Sequence, residues 1–446
     1  MYARIALRNL RQGGKRSWLL GLALSAVSAL LIFLMSLSNG VYDSMVNAAT
    51  TLSAGHVNVS GFYKSSTNAA GAPIVTKVSE VKKLVIDSTP GLEAAILRHR
   101  GWAKIVSDTG SMFAGLFGVD IKSEKFLRKN LMGAPENTYV DGGRTEVVGN
   151  LERLAEPNTI VLFASQAKRL QVRVGDRLTI RTETLRGTSN TVDLTIVAVM
   201  TDMGMMSSWN VLMPTQNILD LYGLEEDSTG AIMLYLDDIE KAQDTMALLR
   251  TRLEKAGYAI LDHDPRPFFM KFETITGQDW SGQKIDLTVW TDEVSFMTWI
   301  LKAIDGVSFL LVCVLASIIA LGIINALWIA VRERTREIGT LRAIGMKRNG
   351  VLSMIMLEAA FLGFIATLVG VTLSAVLSLS LDAAEIEIPT QAVQGILMSK
   401  NFHFVVEIPQ LLFTILGFTA LCTLASIWPA ARAARMRPIS AIHMTE

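Results

Sequence analysis

Apolar residues run almost without interruption through four stretches of the chain, Ser17–Ser38, Val307–Val331, Val351–Leu381 and Leu411–Trp428. A helix rises 1.5 Å per residue, so about 20 residues span the roughly 30 Å hydrocarbon core of a bilayer. Each stretch is near or above that length. The pattern predicts transmembrane helices over 17–39, 301–331, 350–382 and 410–429, with a large water-exposed portion, 40–300, between the first two. There the periodicity changes. The runs His56–Ser60, Thr191–Met200 and Ala231–Leu236 read as strands, and Ser79–Asp87 and Ile239–Ala256 as helices. Asp237 and Asp238 suit the start of the second helix, because a carboxylate accepts orphan amide protons and faces the positive end of the dipole. Gly257 closes that helix, and Tyr258–Leu261 is expected to follow as a strand, giving a small βαβ-type unit. Arg186–Asn190, with Gly187 and Ser189, reads as a hairpin turn. The predicted fold class is therefore a membrane protein of four transmembrane helices carrying one mixed α/β domain.

Composition agrees with this pattern. Of 446 residues, 50% are hydrophobic and 19% charged, against about 25% charged in ordinary globular chains; mean hydropathy is +0.37. The charge is unevenly placed. Residues 1–16 carry Arg4, Arg8, Arg11, Lys15 and Arg16 without an acid. The 332–349 segment with Gly350 carries Arg332, Arg334, Arg336, Arg342, Lys347 and Arg348 against Glu333 and Glu337. The 430–446 tail carries Arg432, Arg435 and Arg437 against Glu446. These segments hold +11 in a chain of net +1, leaving −10 for the rest. Short basic segments stay cytoplasmic, so both termini and 332–349 are expected inside, with 40–300 and the 383–409 loop outside. The first apolar run, with about 21 residues after five basic ones, exceeds a cleaved signal's apolar core, which predicts an uncleaved anchor. Cys313 and Cys422 both lie in apolar runs, so the polar bulk has no disulfide framework or cysteine zinc site.

Catalytic patterns are missing from the sequence: it contains no G-x-x-x-x-G-K-[ST], H-E-x-x-H, G-x-S-x-G or C-x-x-C. Neither enzymatic activity nor a bound cofactor or metal is expected. Asp262–His263–Asp264 reads as a solvated turn before Pro265, since adjacent residues of an extended segment point to opposite faces. Five methionines, Met200, Met203, Met205, Met206 and Met213, crowd around Gly204. Met203, Met205 and Met206 form a candidate contact loop, because thioether side chains adapt to lipidic or protein partners; plain packing and Cu(I) binding are the alternatives.

The most particular segment is cytoplasmic. Val331, Ile338, Leu341 and Gly345 follow helical spacing, while Glu333–Arg336 and Arg334–Glu337 are i,i+3 pairs of opposite sign. An amphipathic helix on anionic lipid is the bland alternative that any basic loop offers, and the wording of this stretch is too particular for it. In the third span, Ala366, Gly370, Ser374 and Ser378 repeat every fourth residue, a face suited either to a second chain or to the chain's own helices. Glu358 lies eight residues beyond Gly350, about 12 Å along that span, where a carboxylate is expensive. Arg342, Lys347 and Arg348 are its nearest expected partners.

The wording of 332–346 resembles the coupling segment of the FtsX-like permease family, which includes MacB and the lipoprotein-release permeases LolC and LolE. The family's acidic residue, Ile-Gly and Leu-Arg-Ala-Ile-Gly are met by Glu337, Ile338, Gly339, Leu341, Arg342, Ala343, Ile344 and Gly345. Glu358 with Gly363 looks like the acidic residue and glycine of the family's third helix. Trp428–Ile439 resembles its C-terminal proline-alanine ending, and Val161–Leu170 followed by Val174–Leu178 resembles its helix and "GD" strand.

That resemblance implies a type VII ABC permease, closest in organisation to LolC/LolE because no ATPase is fused and the ectodomain is large. It implies a MacB-like periplasmic domain with a βαβ-rich, porter-like part and an inserted β-rich part near 123–215. Arg334, Glu337, Ile338, Gly339, Leu341, Arg342 and Gly345 would meet a cytoplasmic ATPase in two copies, with ATP and Mg on that partner. Glu358, Gly363, Ala366, Gly370 and Ser374 would serve coupling or packing in the membrane. The further partners implied are a second permease chain, identical or paralogous, membrane lipid, and a periplasmic carrier, adaptor or lipoprotein, but no nucleic acid. The expected role is mechanotransmission for lipoprotein or lipidic substrate release at a bacterial inner membrane. MacB-like tripartite efflux and FtsX-like regulation of a periplasmic partner are the alternatives.

Overall fold

The computed structural model describes residues 14–67, 69, 71–184, 187–397 and 399–436. Arg4, Arg8, Arg11, Arg186, Arg437, Pro438 and Ile439 of the sequence reading lie outside them. The described chain divides into two compact units, a membrane unit of 14–42, 301–386 and 402–436, and an ectodomain of 43–300 and 387–401. It begins with helix α1 (Gly14–Ala48), which passes into a π-helical turn at Ala49–Ser53. There follow β1 (Val57–Lys64), β2 (Val75–Thr76), α2 (Val78–Ser88), β3 (Leu92–Val106), β4 (Ser111–Val119) and α3 (Lys125–Asn130). Next come β5 (Thr159–Phe163), α4 (Ala164–Leu170), β6 (Arg177–Glu183), β7 (Ser189–Met200), α5 (Gly204–Trp209), β8 (Asn210–Pro214) and α6 (Thr215–Tyr222). After β9 (Ser228–Thr229), β10 (Ala231–Leu236), α7 (Ala242–Lys255), α8 (Phe272–Thr276), β11 (Gly282–Val289) and α9 (Trp290–Glu293), the chain forms α10 (Thr298–Glu333), α11 (Thr335–Ala343), α12 (Arg348–Ala383), α13 (Gln391–Leu397) and α14 (Ile408–Ala434).

In the ectodomain, β1–α2–β3 and β10–α7–β11 make a split βαβ fold with strand order β11-β1-β10-β3, all neighbours antiparallel. Val78, Val81 and Val85 of α2 lie on one face at i, i+3 and i+7. With Leu249 and Leu253 of α7 they cover Val57, Val59, Ile232, Leu234, Ile285 and Leu287. Strand β3 is long enough to serve two sheets. Its first half pairs with β10, and its second half, from His99, pairs with β4. Lys104–Val106 also pairs with β6, closing the ring β3-β4-β8-β5-β7-β6 into a barrel. Leu116, Ile160, Leu162, Leu178, Ile196 and Val211 are among the buried residues of the barrel cluster.

Three expectations change. The β-rich part near 123–215 is not a self-contained insert, because the barrel is incomplete without β4 and the second half of β3. Tyr258–Leu261 is not a strand: it makes only an isolated parallel bridge, Ile260 to Ile285, and the βαβ unit ends on β11 instead. The 383–409 loop contains α13, and residues 387–401 fold with the ectodomain. Asp238 does accept the Glu240 amide at 3.0 Å, at the head of the turn that enters α7.

Among the described residues, the membrane unit holds four helices long and apolar enough to span a bilayer, carried by α1, α10, α12 and α14. They exceed the apolar runs because helix continues through polar residues, as where Asn47 donates to Asp43 one turn earlier. The small-residue face of α12 is turned inward. A Cβ on Gly370 would run into the Ser25 carbonyl of α1, and one on Gly363 would sit 2.9 Å from Cys422 of α14. Ala366, Ser374 and Ser378 are buried as well. The ladder is thus a contact to the chain's own helices, where the sequence left a second chain equally open. Trp328 and Trp428 meet at 5.4 Å, with Arg332 and Arg432 over Trp328, the aromatic and basic girdle expected at a membrane–water boundary.

Candidate functional site

Helix α10 ends at Glu333, Arg334 takes a non-helical conformation, and α11 starts at Thr335. The apolar stripe read from the sequence is used inside the protein. Val331 and Ile338 are buried with Val351, Met354 and Ile355 of α12 and Ala430, Ala433 and Ala434 of α14. Gly339 is buried, and Leu341 is half-buried in a small cleft that also touches Glu337 and Glu358. What faces outward is polar: Arg332, Glu333, Arg336, Glu337 and Thr340. The exception is Ile344, which is 80% exposed. A partner meeting α11 therefore meets charge with one large apolar side chain, whereas the sequence placed Ile338 and Leu341 on the docking face.

Two arginines fasten α11. Arg334 Nη1 donates to Glu358 Oε1 at 3.1 Å, which corrects the expected partners Arg342, Lys347 and Arg348. Arg342 turns instead to the end of α14, donating from Nη1 to the carbonyls of Ala434 and Met436, both at 2.7 Å. The last turn of a helix leaves carbonyls without intrahelical donors and carries partial negative charge, so a guanidinium is well placed there. Gly345 has φ +107, a conformation that strains any residue with a Cβ, and the Met346 amide returns to the Leu341 carbonyl. The Ala-Ile-Gly of the motif is thus a helix stop.

The ectodomain repeats the same device on a larger scale. The π-helical turn Ala49–Ser53 ends in carbonyls that need donors, and three side chains of the sheet supply them. The Tyr235 hydroxyl donates to Thr50 O at 2.7 Å. Arg98 Nη1 donates to Thr51 O at 3.0 Å and Leu52 O at 2.8 Å, and Arg100 Nη2 to Ser53 O at 2.8 Å. Both arginines lie where β3 passes from one sheet to the other. Arg98 is fully buried and also donates from Nε to Glu124 at 3.1 Å. Burial pulls its guanidinium down, but Glu124 more than offsets this and holds it above its ordinary value. Arg100 has a weaker partner, Glu293 of α9 at 3.8 Å, and burial leaves it below its ordinary value. Burial likewise raises the Glu293 carboxyl, and pushes the Tyr235 phenol up to about 12. Sequence reading missed this clamp. The available signal was two arginines flanking a histidine, Arg98-His99-Arg100, inside a strand pattern.

The methionine loop divides. Met200, Met206 and Met213 are buried, and Met206 Sδ accepts from Ser53 Oγ at 3.2 Å; only Met203 and Met205 are partly exposed. Met206 is thereby removed from the contact loop by the turn of α5 that points it inward. Asp262 and His263 are exposed, and Asp264 pairs with Arg266.

Four apolar helices, a split-βαβ and barrel ectodomain, and a short helix, α11, held against two of the spans define a multi-pass membrane protein. Residues 18–252 match the MacB-like periplasmic core domain, and residues 309–438 the FtsX-like permease C-terminal region. The chain belongs to this MacB-type, FtsX-like family of type VII ABC permeases. It is 30% identical over 151 residues to the macrolide export ATP-binding/permease protein MacB of Nitrobacter winogradskyi, covering 34% of this chain and 20% of that one. It is 32% identical over 128 residues to its counterpart in Neisseria meningitidis serogroup A, covering 27% and 17%. The chain thus matches about a fifth of the length of these relatives. Among solved structures, the periplasmic region of MacB from Actinobacillus actinomycetemcomitans aligns at 11% identity and TM-score 0.28, covering 55% of this chain and 94% of that one. The extracellular domain of the transporter YknZ from Gram-positive bacteria aligns at 10% and 0.29, covering 51% and 98%.

Proposed function

We propose that this chain is the membrane subunit of an ABC transporter whose ATPase is a separate cytoplasmic protein present in two copies. Hydrolysis there moves the periplasmic domain, and the substrate is a lipoprotein or lipidic molecule released from the bacterial inner membrane. A second permease chain, identical or paralogous, completes the assembly, and a periplasmic carrier receives the substrate. The observation that carries this reading is the anchoring of α11. Ile338 lies in the core of the unit, Arg334 is tied to α12 and Arg342 to α14. A segment fixed in that way passes a push from a partner to the spans, which a loose loop on the lipid surface does not. Efflux is the second reading, supported by the similarity to macrolide exporters; the periplasmic domain would then drive an adaptor.

Reconstitution of the chain with its ATPase in nanodiscs separates the readings. Hydrolysis stimulated by an acylated lipoprotein and not by a macrolide supports release. The opposite preference supports efflux. A bound ATPase answering neither leaves regulation of a periplasmic partner.

A further inference from the structure

A cavity of about 560 Å³ opens in the ectodomain beside the carbonyl clamp. Its walls are the rings of Trp102, Tyr222, Phe268, Phe269 and Phe272, together with Ile74. The rings are held in place. Tyr222 donates to the Trp102 carbonyl at 2.7 Å and accepts the Trp102 amide at 2.7 Å. Phe268 meets Phe269 edge-on at 5.8 Å and Phe272 at 6.4 Å. Trp102 nevertheless stays 53% exposed and Phe269 38% exposed. Gly101 completes the fit, since a Cβ there would stand 2.6 Å from the Tyr222 ring.

The charges around this cavity are not symmetric. Arg100 lies on its wall, but Phe268 covers the guanidinium at 4.5 Å, Ser53 O accepts a hydrogen bond from it, and its side chain is 1% exposed. The positive charge is therefore hidden from anything that enters. The carboxylate of Glu183, by contrast, is exposed at the wall. Aromatic faces are themselves electronegative and attract cations. Residues 40–300, the domain that carries the cleft, hold 26 Lys and Arg against 32 Asp and Glu, a net −6. An apolar pocket of this size with a few polar groups is the usual form of a small-molecule site.

We propose that this cleft binds a hydrophobic cation, its apolar body on Trp102, Phe268, Phe269 and Phe272 and its charge toward Glu183. Arg100 gives the site a second property. Through Phe268 it touches the ligand wall, and through Ser53 it holds the turn that follows α1, so occupancy bears on the turn by which the chain enters the ectodomain. The inference goes beyond the lipoprotein reading, and for a transport role rests on the second, efflux reading of the chain.

The test uses the full chain in nanodiscs, radiolabelled tetraphenylphosphonium, and equilibrium dialysis against empty nanodiscs. Tetraphenylborate has the same shape and the opposite charge, and serves as competitor. Saturable tetraphenylphosphonium binding is expected, with tetraphenylborate not competing. Trp102→Ala is expected to weaken binding at least about tenfold and Glu183→Gln about five- to tenfold, with Trp102→Phe largely restoring it. Both positions are exposed, so the fold and Tm stay at wild-type values. Equal competition by tetraphenylborate, wild-type affinity in both variants, or no saturable binding overturns the site. If binding fails while a lipoprotein or macrolide still stimulates the partner ATPase, the site falls and the transport reading stands. If binding holds but no ATPase associates, the transport reading falls alone.

Discussion

Arg334 and Glu358 are joined at 3.1 Å although 24 residues separate them, and the pair ties the junction of α10 and α11 to the first third of α12. Both side chains keep some exposure, 25% and 15%, so the pair contributes on the order of 1 kcal/mol or less to stability. Glu358→Gln keeps the shape and removes the charge. Insertion and ATPase binding are expected to persist, while hydrolysis no longer responds to substrate. Stimulated and basal ATPase rates in nanodiscs measure this; a variant with full stimulation shows that the charge has no coupling role.

Ile344 and Leu341 separate docking from packing. Ile344→Glu changes an exposed side chain, so stability is expected to stay within about 0.5 kcal/mol while co-purification of the ATPase is lost. Leu341→Glu brings a carboxylate beside Glu337 and Glu358 in a half-buried cleft, and is expected to cost several kcal/mol. Tm and ATPase yield, read on the same samples, distinguish the two effects. Wild-type ATPase yield with Ile344→Glu would remove this residue from the interface.

Ser374→Cys, in a background lacking Cys313 and Cys422, is expected to give no cross-linked dimer, since Ser374 is buried in the chain's own helix contact. Gly370→Ile is expected to destabilise by about 1–3 kcal/mol, because it forces α1 away from α12. A disulfide-linked dimer of the Ser374→Cys variant on oxidation would overturn the assignment of this face.

The carbonyl clamp gives a graded pair of variants. Tyr235→Phe removes one hydrogen bond to Thr50 and is expected to cost about 1 kcal/mol. Arg98→Leu leaves Glu124 buried without its cation and is expected to cost about 3–5 kcal/mol. Denaturation of the full chain measures both, and an inverted order of the two losses would show that Arg98 does not carry the clamp.

His56 and His99 set a pH dependence. His56 Nδ1 accepts the Leu236 amide at 3.0 Å, and His99 Nε2 lies 2.7 Å from Ser228 O. Burial holds both imidazoles below their ordinary value. A depressed folded-state value means that the stability they contribute is present above about pH 6.5 and is lost as pH falls through the folded value. Tm is expected to drop between pH 7 and pH 5, and the His56→Gln, His99→Gln double variant to drop less. An unchanged slope in the double variant rules these groups out.

Much of this was legible in the chain. Ala231–Leu236 is a strand with the bounds of its short apolar run, and Asp238 starts the turn before α7, because both depend on neighbours within a few residues. The spans were legible for a different reason: a run of apolar residues long enough to cross a bilayer has few other uses. The motif around Glu337–Gly345 announced a helix but put Gly345 on its apolar stripe; the structure instead ends the helix at Ala343, with Gly345 in a conformation that a Cβ resists.

Tertiary structure decided what each face touches. The apolar stripe of α11 predicted a contact but not its partner, and Ile338 spends it on α12 and α14. Glu358 takes its cation from Arg334, 24 residues earlier, instead of from the cations closest in sequence; Arg342, about two turns further along α11, points at the end of α14. The barrel could not be read from 123–215 alone, since β3 lends it a strand from outside that range. Periodicity reports which side of an element is apolar. Only the packed chain brings Arg98, Arg100 and Tyr235 onto the four carbonyls of Thr50–Ser53, because those groups are far apart in sequence and meet only through the sheet.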